Sequence, residues 1–277
     1  MEANKNYKNL PLEFWANVKR INQKVGYSDR KTKNIKIPTQ KEVVKAYSDM
    51  GLNSSKIVKN DKATKFGEQL FSYFEYRANI LNSEVKSNLM NADQAKLLFE
   101  QLRENLRPTC PIPMNKQKGD KKAPAYFTSI INMIIEANLG EHNCDYDPRE
   151  LTAVTDSGYP LRVLSRRVDG AFPNIINPKA IWEIKEYYYT TTFGSRVADG
   201  VYETIVDGFE LNEIKQNLNI DIKHYLFVDA YYTWWDLGRS YLCRIIDLLH
   251  MGILDEAIFG KEVVTRLPVI IQNLVKP

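Results

Sequence analysis

Asp169, Glu183 and Lys185 are the residues whose types and spacing could do chemistry. They lie in the stretch RRVDGAFPNIINPKAIWEIKE, residues 166–186. Apolar runs, Leu161 through Phe172 and Ala180 through Tyr189, flank a turn rich in proline and asparagine. That pattern predicts two β-strands joined by a short loop. Asp169 falls late in the first strand. Glu183 and Lys185 are two apart in the second, so strand alternation turns both to one face. Paired carboxylates beside an ammonium make a poor core and a good cation site. A modest number of oxygen ligands suits Mg²⁺, which keeps waters and is completed by phosphate oxygens. The lysine would orient a water or help deprotonate it.

The tripeptide acid-x-Lys is not selective by itself. It begins at Asp29, Glu84, Asp120, Glu183, Glu213 and Asp221. Only Glu183 lies inside a strongly strand-like run and also follows a second strand-borne acid. The nearest rival pairs Asp207 with Asp221-Ile222-Lys223, at the same separation as Asp169 from Glu183. Asp207 falls in a run that reads as helix, residues 197–214, and Asp221 sits at the polar start of its strand. The plain alternative makes Glu183 and Lys185 an exposed charge pair of little energetic worth.

The set formed by Asp169 and Glu183-Ile184-Lys185 on neighbouring strands resembles the PD-(D/E)xK nuclease superfamily, and within it the type II restriction endonucleases. The likeness covers roughly residues 125–215, and Val168 stands where the family pattern has proline. It implies an α/β fold with a central mixed sheet of about five strands flanked by helices. It implies Mg²⁺ held by Asp169, Glu183 and the main-chain carbonyl of Ile184, with Lys185 positioning the attacking water. It implies cleavage of double-stranded DNA to 5′-phosphate and 3′-hydroxyl ends. A homodimer would suit a palindromic site, since protein symmetry mirrors site symmetry. In such enzymes an acidic residue of the preceding helix can assist the metal; here that residue is Glu136.

The elements that must position this set follow from composition and periodicity. The chain has 277 residues and 44% apolar content, enough for one large domain or two smaller ones. Residues 1–122 carry 24 Lys and Arg against 13 Asp and Glu; the remainder carries 14 against 21. A basic half joined to an acidic half suggests that one attracts a polyanion while the other holds cations. Cys110, Cys144 and Cys243 are far apart and form no CxxC, which argues against a disulfide framework or zinc site and fits a reducing, prokaryotic cytoplasm. The first residues lack the apolar core of a secretory signal. No run approaches the ~20 apolar residues of a membrane span. No feature asks for an organic cofactor.

Residues 1–110 read as a basic helical region for DNA recognition, and 111–277 as the catalytic domain, joined through a Pro-rich basic segment from Arg107 to Pro124. Phe14, Trp15, Val18, Ile21 and Val25 recur at helical spacing. Thr39 with Glu42 forms a capping box. Gly51 ends that helix, and a second one from Ser54 to Lys59 would complete a helix-turn-helix carrying Lys56 toward DNA. Tyr126 to Leu139 reads as a helix. Beyond the Glu183 strand, Thr192, Ser195 and Arg196 stand at the head of a helix, where backbone amides favour anions and an arginine adds a forked donor. Arg166 and Arg167 flank Asp169, and one of them should face the site; Arg167 is assigned a DNA contact, with ion pairing to Glu186 as the other role for such an arginine. Two other functions stay open: a repair, recombination or transposition nuclease of the same superfamily, and a DNA-binding module without catalysis.

Overall fold

The computed structural model describes residues 1–29, 31–117, 120–189 and 194–276, with the backbone alone at 116, 117, 120–122, 195 and 196. In chain order come α1 (Leu12–Val25), α2 (Gln40–Asp49), a tight hairpin of β1 (Val58–Lys59) and β2 (Lys62–Ala63), and α3 (Lys65–Ile80). A π-turn at Leu81–Val85 carries α3 into the short α4 (Lys86–Asn88). Then follow α5 (Ala92–Leu106), the β3–β4 hairpin (Met114–Gln117, Asp120–Pro124), α6 (Tyr126–Leu139) and the β5–β6 hairpin (Ala153–Asp156, Tyr159–Val163). The last part holds β7 (Gly170–Phe172), β8 (Ala180–Glu186), α7 (Ser195–Leu218), β9 (Lys223–Asp229), α8 (Arg239–His250), β10 (Glu256–Phe259) and α9 (Val263–Leu274). Among the described residues, no helix is long and apolar enough to cross a membrane. The three cysteines are free.

The architecture is mixed α/β, centred on a sheet ordered β10-β9-β8-β7. β7 runs antiparallel to β8, while β8, β9 and β10 are parallel. Four strands stand where about five were expected. The difference arises in the run from Leu161 to Phe172. Its first residues pair with β5 in a separate hairpin, and only Gly170–Phe172 join the central sheet. Asp169 therefore precedes its strand instead of falling late in it. The chain leaves the hairpin at Ser165–Arg166 and turns before re-entering the sheet, a change of direction that a continuous apolar pattern conceals.

Strand alternation divides the sheet between two helical layers. Ala180 and Trp182 face a core with α5, α6 and α9, built on Phe99, Phe127, Ile130 and Ile271. On the other face, Leu226 and Val228 pack against α7 and α8, while Ile181 packs against Leu211 and Ile214 of α7. Glu183 and Lys185 project on this α7 side, between two apolar clusters. Because α5 packs in the core of the sheet, its residues 92–106 do not belong with the basic N-terminal helices among which the sequence placed them.

α1, α2 and α3 have their own core around Phe14, Trp15, Tyr47 and Phe74. The Thr39–Glu42 capping box forms as expected. The predicted helix from Ser54 to Lys59 does not. That stretch is a turn leading into β1, with Ile57 and Val58 buried in the core and Lys56 exposed and paired to Glu13. The local reason is the adjacent tight turn: Asn60 and Asp61 both adopt left-handed backbone conformations, which closes a hairpin instead of continuing a helix. The helical core is fastened to α8 by Arg77, which is 1% exposed. Its Nη1 donates to Asp247 at 2.8 and 3.0 Å, and its Nη2 donates to Asn22 at 2.9 Å.

Asp229, at the end of β9, is fully buried. It accepts hydrogen bonds from the Met90 and Ala230 amides and from the Tyr188 hydroxyl. Burial pushes its carboxyl up to about 7. Between its ordinary range near 4 and that value, the folded chain keeps a proton that the unfolded chain has released. The stability due to this group is thus full at low pH and lost as pH rises toward about 7. Asp229→Asn is expected to flatten this part of the pH profile, narrowing the difference in urea midpoint between about pH 5 and pH 8. An unchanged difference would show that Asp229 is ionised in the folded chain.

Candidate active site

The site is assembled from the β7–β8 pair, the turn before β7 and one side of α7. Asp169 is fixed by its backbone, whose N–H donates to Trp182 O at 3.1 Å. Its side-chain Oδ2 accepts from the Ile184 amide at 2.7 Å. Gly170 lets β7 approach so closely, since a Cβ there would lie 2.2 Å from the Trp182 ring. Glu183 is 1% exposed and Lys185 7%. Lys185 Nζ donates to Glu183 Oε2 at 2.9 Å and to Glu203 Oε2 at 2.6 Å. α7 can pass over the lysine stem because residue 200 is glycine; a Cβ there would meet Lys185 Cδ at 3.2 Å.

Arg166 closes the other side. Its Nη1 donates to Glu183 Oε1 at 2.8 Å and its Nη2 to Oε2 at 3.0 Å, a forked pair. Nη1 also donates to Asp207 Oδ2 at 2.6 Å, and Nη2 to Glu203 Oε2 at 3.4 Å. A cavity of about 330 Å³ opens on this group, lined by Arg166, Asp169, Glu183, Lys185, Tyr187 and Glu203 among others. A second cavity of about 280 Å³ meets Asp169 and Ile184 and is walled by Pro111, Pro113, Thr128 and Tyr146.

The electrostatics follow from burial and charge. Burial, then the neighbouring Glu183 carboxyl, pushes Asp169 up to about 7. Burial would also raise Glu183, but Lys185 and Arg166 outweigh it and hold this carboxyl below the ordinary range. Burial would lower Lys185, yet Glu183 and Asp169 more than offset that and hold it above the lysine range. Asp207 is pushed up to about 7 by burial, against the pull of Arg166. In this arrangement Lys185 is held as an ammonium that donates hydrogen bonds to Glu183 and Glu203.

These observations bear on each residue singled out in the sequence. Asp169, Glu183 and Lys185 converge. The rival pair separates: Asp207 joins the site through Arg166 from α7, whereas Asp221 is exposed and paired to Lys215 and Lys223. Of the two flanking arginines, Arg166 faces the site and Arg167 is exposed. Among the described residues Glu186 pairs with no arginine; it accepts from the Thr128 amide and hydroxyl at the head of α6 and from Asn115. Glu136 accepts from Thr109 and lines neither cavity. Thr192 lies outside the described residues, and of Ser195 and Arg196 only the backbone, at the start of α7, is described. Glu203 was missed, and Asp207 was set aside with the rival pair. The signal for them was present, since Asp199, Glu203 and Asp207 recur every fourth residue and so stack along one side of a helix.

Among the described residues, no three His, Cys, Asp or Glu side chains converge closely enough to hold a metal ion by themselves. Mg²⁺ does not require three, because it binds through one or two carboxylates and keeps waters. Asp169 is half-buried and Glu183 buried, and both carboxyls line one cavity, the kind of donor set a hard divalent cation neutralises. The donor set therefore fits Mg²⁺, with Arg166 and Lys185 supplying the positive charge that balances Glu183.

No curated protein and no solved structure matches the chain. Residues 1–84 match a domain of unknown function, DUF7690, so the two matched ranges meet between α3 and α5. The second match spans residues 90–274, most of the chain and every residue of the site, and the chain thus belongs to the family described as a domain of unknown function, DUF7687.

Proposed function

We propose that this protein is a Mg²⁺-dependent endonuclease that cuts double-stranded DNA at a specific site, in the manner of the type II restriction enzymes it resembles. The observation that carries the reading is the burial of Glu183 and Lys185 beside the half-buried Asp169 at an open cavity, between two apolar clusters that would be cheaper to join. Groups so costly to bury point to chemistry.

Asp169 and Glu183 would hold the cation, with the Ile184 carbonyl adjoining. Mg²⁺ bound there would neutralise charge on the scissile phosphate and acidify a water. The Lys185 ammonium donates to the attacking water and orients it in line with the leaving oxygen. The water oxygen bonds to phosphorus as the bond to the 3′-oxygen breaks. The attacking water gives up its proton to solvent, the leaving oxygen takes one from solvent to become the 3′-hydroxyl, and the phosphate stays on the 5′ side. Lysines without an ion-pair partner among the described residues, Lys41 and Lys45 on α2 with Lys59 and Lys62 on the hairpin, form the basic surface proposed to meet the DNA backbone. This surface replaces the helix once placed at Ser54–Lys59. A homodimer would cut both strands of a palindrome. α7 exposes Tyr202, Val206 and Phe209 along one side, a stripe suited to pairing with another helix.

The test is incubation of the purified protein with unmethylated phage DNA, with Mg²⁺ and with EDTA, alongside Asp169→Asn and Asp221→Asn. Discrete Mg²⁺-dependent fragments are expected from the unmodified protein and from Asp221→Asn, and none from Asp169→Asn. A smear would move the reading to a non-specific or structure-selective nuclease. A DNA shift in a gel without cleavage would favour the binding module, in which Arg166, Glu183 and Lys185 form a structural charge cluster.

A further inference from the structure

The forked pair between Arg166 and Glu183 is unusual for a carboxylate expected to take a metal. Both Glu183 oxygens accept from the guanidinium, and one also accepts from Lys185. Arg166 does not depend on Glu183 for its place. Asp207 Oδ2 holds the same Nη1 at 2.6 Å, from α7 and not from the sheet, and Glu203 Oε2 lies 3.4 Å from Nη2. Asp207 is fully buried, and its Oδ1 has no hydrogen-bond partner among the described residues. The guanidinium side chain is 24% exposed and lines the cavity that also holds Asp169 and Lys185. Arg166 is thus attached at two points of different kinds: an anchor on α7, with spare acceptor capacity behind it, and a replaceable bond to Glu183.

We propose that Arg166 is a movable counter-ion of the site. It occupies Glu183 while no divalent cation is bound, releases that carboxylate when the cation arrives, and turns about its Asp207 anchor to contact a non-bridging oxygen of the scissile phosphodiester. The inference rests on the metal-dependent reading given above. Its physical basis is competition between two cations for one carboxylate. The guanidinium saturates Glu183 and repels a second positive charge, so apparent metal affinity is lowered by the population of the Arg166–Glu183 pair. A phosphodiester gives the displaced guanidinium a new anionic partner, so cation and DNA bind cooperatively. A planar forked donor suits both partners, carboxylate and phosphate, which a lysine at this position would not.

The measurement is calorimetric titration of Mn²⁺ into the full-length protein without DNA, so that no turnover enters. Arg166→Gln is expected to bind Mn²⁺ at least about tenfold more tightly than the unmodified protein, since a repelling charge is removed. It is also expected to lose most of the cooperativity between Mn²⁺ and a non-cleavable phosphorothioate duplex. Equal or weaker Mn²⁺ binding by Arg166→Gln overturns the proposal. Should that variant fail to fold, Arg166→Lys decides. Its single ammonium cannot span both Glu183 oxygens and Asp207, so Mn²⁺ affinity should rise severalfold, and an unchanged affinity overturns the idea. Asp169→Asn separates this failure from failure of the metal site itself. If Asp169→Asn binds Mn²⁺ as well as the unmodified protein does, the cation is not held here, and both readings fall. If Asp169→Asn loses binding while Arg166→Gln gains none, the site stands and only the movable arginine is rejected.

Discussion

Lys185→Ala is expected to lower Mg²⁺-dependent DNA cleavage by about 10²–10⁴-fold while leaving DNA affinity measured in EDTA nearly unchanged. The ammonium sits 2.9 Å from Glu183 and 2.6 Å from Glu203, and those carboxylates hold it protonated. Its part in the proposed reaction is therefore donation: it fixes a water and offsets negative charge that grows on the attacked phosphate. DNA affinity should survive because the proposed backbone contacts lie on α2 and the β1–β2 hairpin, not at this site. The substitution also has a structural cost, since it leaves Glu183 buried with Arg166 as its one remaining cation. Lys185→Met, which keeps the stem that packs beneath Gly200, separates the two effects. Cleavage lost in a normally folded Lys185→Met supports the catalytic role. Cleavage retained at ordinary rates in that variant would remove Lys185 from the mechanism.

The largest effect on stability is expected at the joint between the N-terminal helices and the sheet. Asp247→Ala should cost about 3–5 kcal/mol, because it leaves the Arg77 guanidinium buried without its counter-ion. Asp247 accepts from Arg77 at 2.8 and 3.0 Å and from the Tyr73 hydroxyl at 2.6 Å. The guanidinium also lies 5.1 Å from the Phe74 ring centre, and its Nε has no partner among the described residues. Water cannot replace the lost carboxylate at 1% exposure. Urea unfolding of the full chain measures the loss as a lower midpoint. Replacing both partners with apolar residues, Arg77→Met with Asp247→Leu, should cost less than Asp247→Ala alone, since no charge is then left unpaired. A double variant as unstable as the single one would show that packing, not charge, sets the cost. The pair also ties together the two matched ranges, as Arg77 lies in 1–84 and Asp247 in 90–274.

Much of the site was legible in the sequence because it rests on local rules. Alternation alone put Glu183 and Lys185 on one face of β8, and a run from Ala180 to Tyr189 rich in Ile, Trp and Tyr could hardly be anything but a strand. The helical period placed Asp207 on α7, and the capping box of Thr39 and Glu42 marked the start of α2. The resemblance carried by Asp169, Glu183 and Lys185 implied the mixed α/β class, which the sheet and its helical layers bear out.

Tertiary structure decided what depends on contacts between distant segments. That only Gly170–Phe172 joined the central sheet, with residues 161–163 kept in their hairpin with β5, turned on how the chain bends at Ser165–Arg166. The segment from Ser54 to Lys59 became a turn because Ile57 and Val58 were needed in the core beside Phe14, and the left-handed pair at Asn60 and Asp61 folded it back. The choice between Arg166 and Arg167 depended on how the chain turns out of the hairpin toward α7. Side chains one residue apart then point in opposite senses, and only the one facing Asp207 and Glu183 could be buried with its charge satisfied. The sequence by itself determined the chemistry of the strand residues. The packing of α7 across the sheet determined which distant charges complete them.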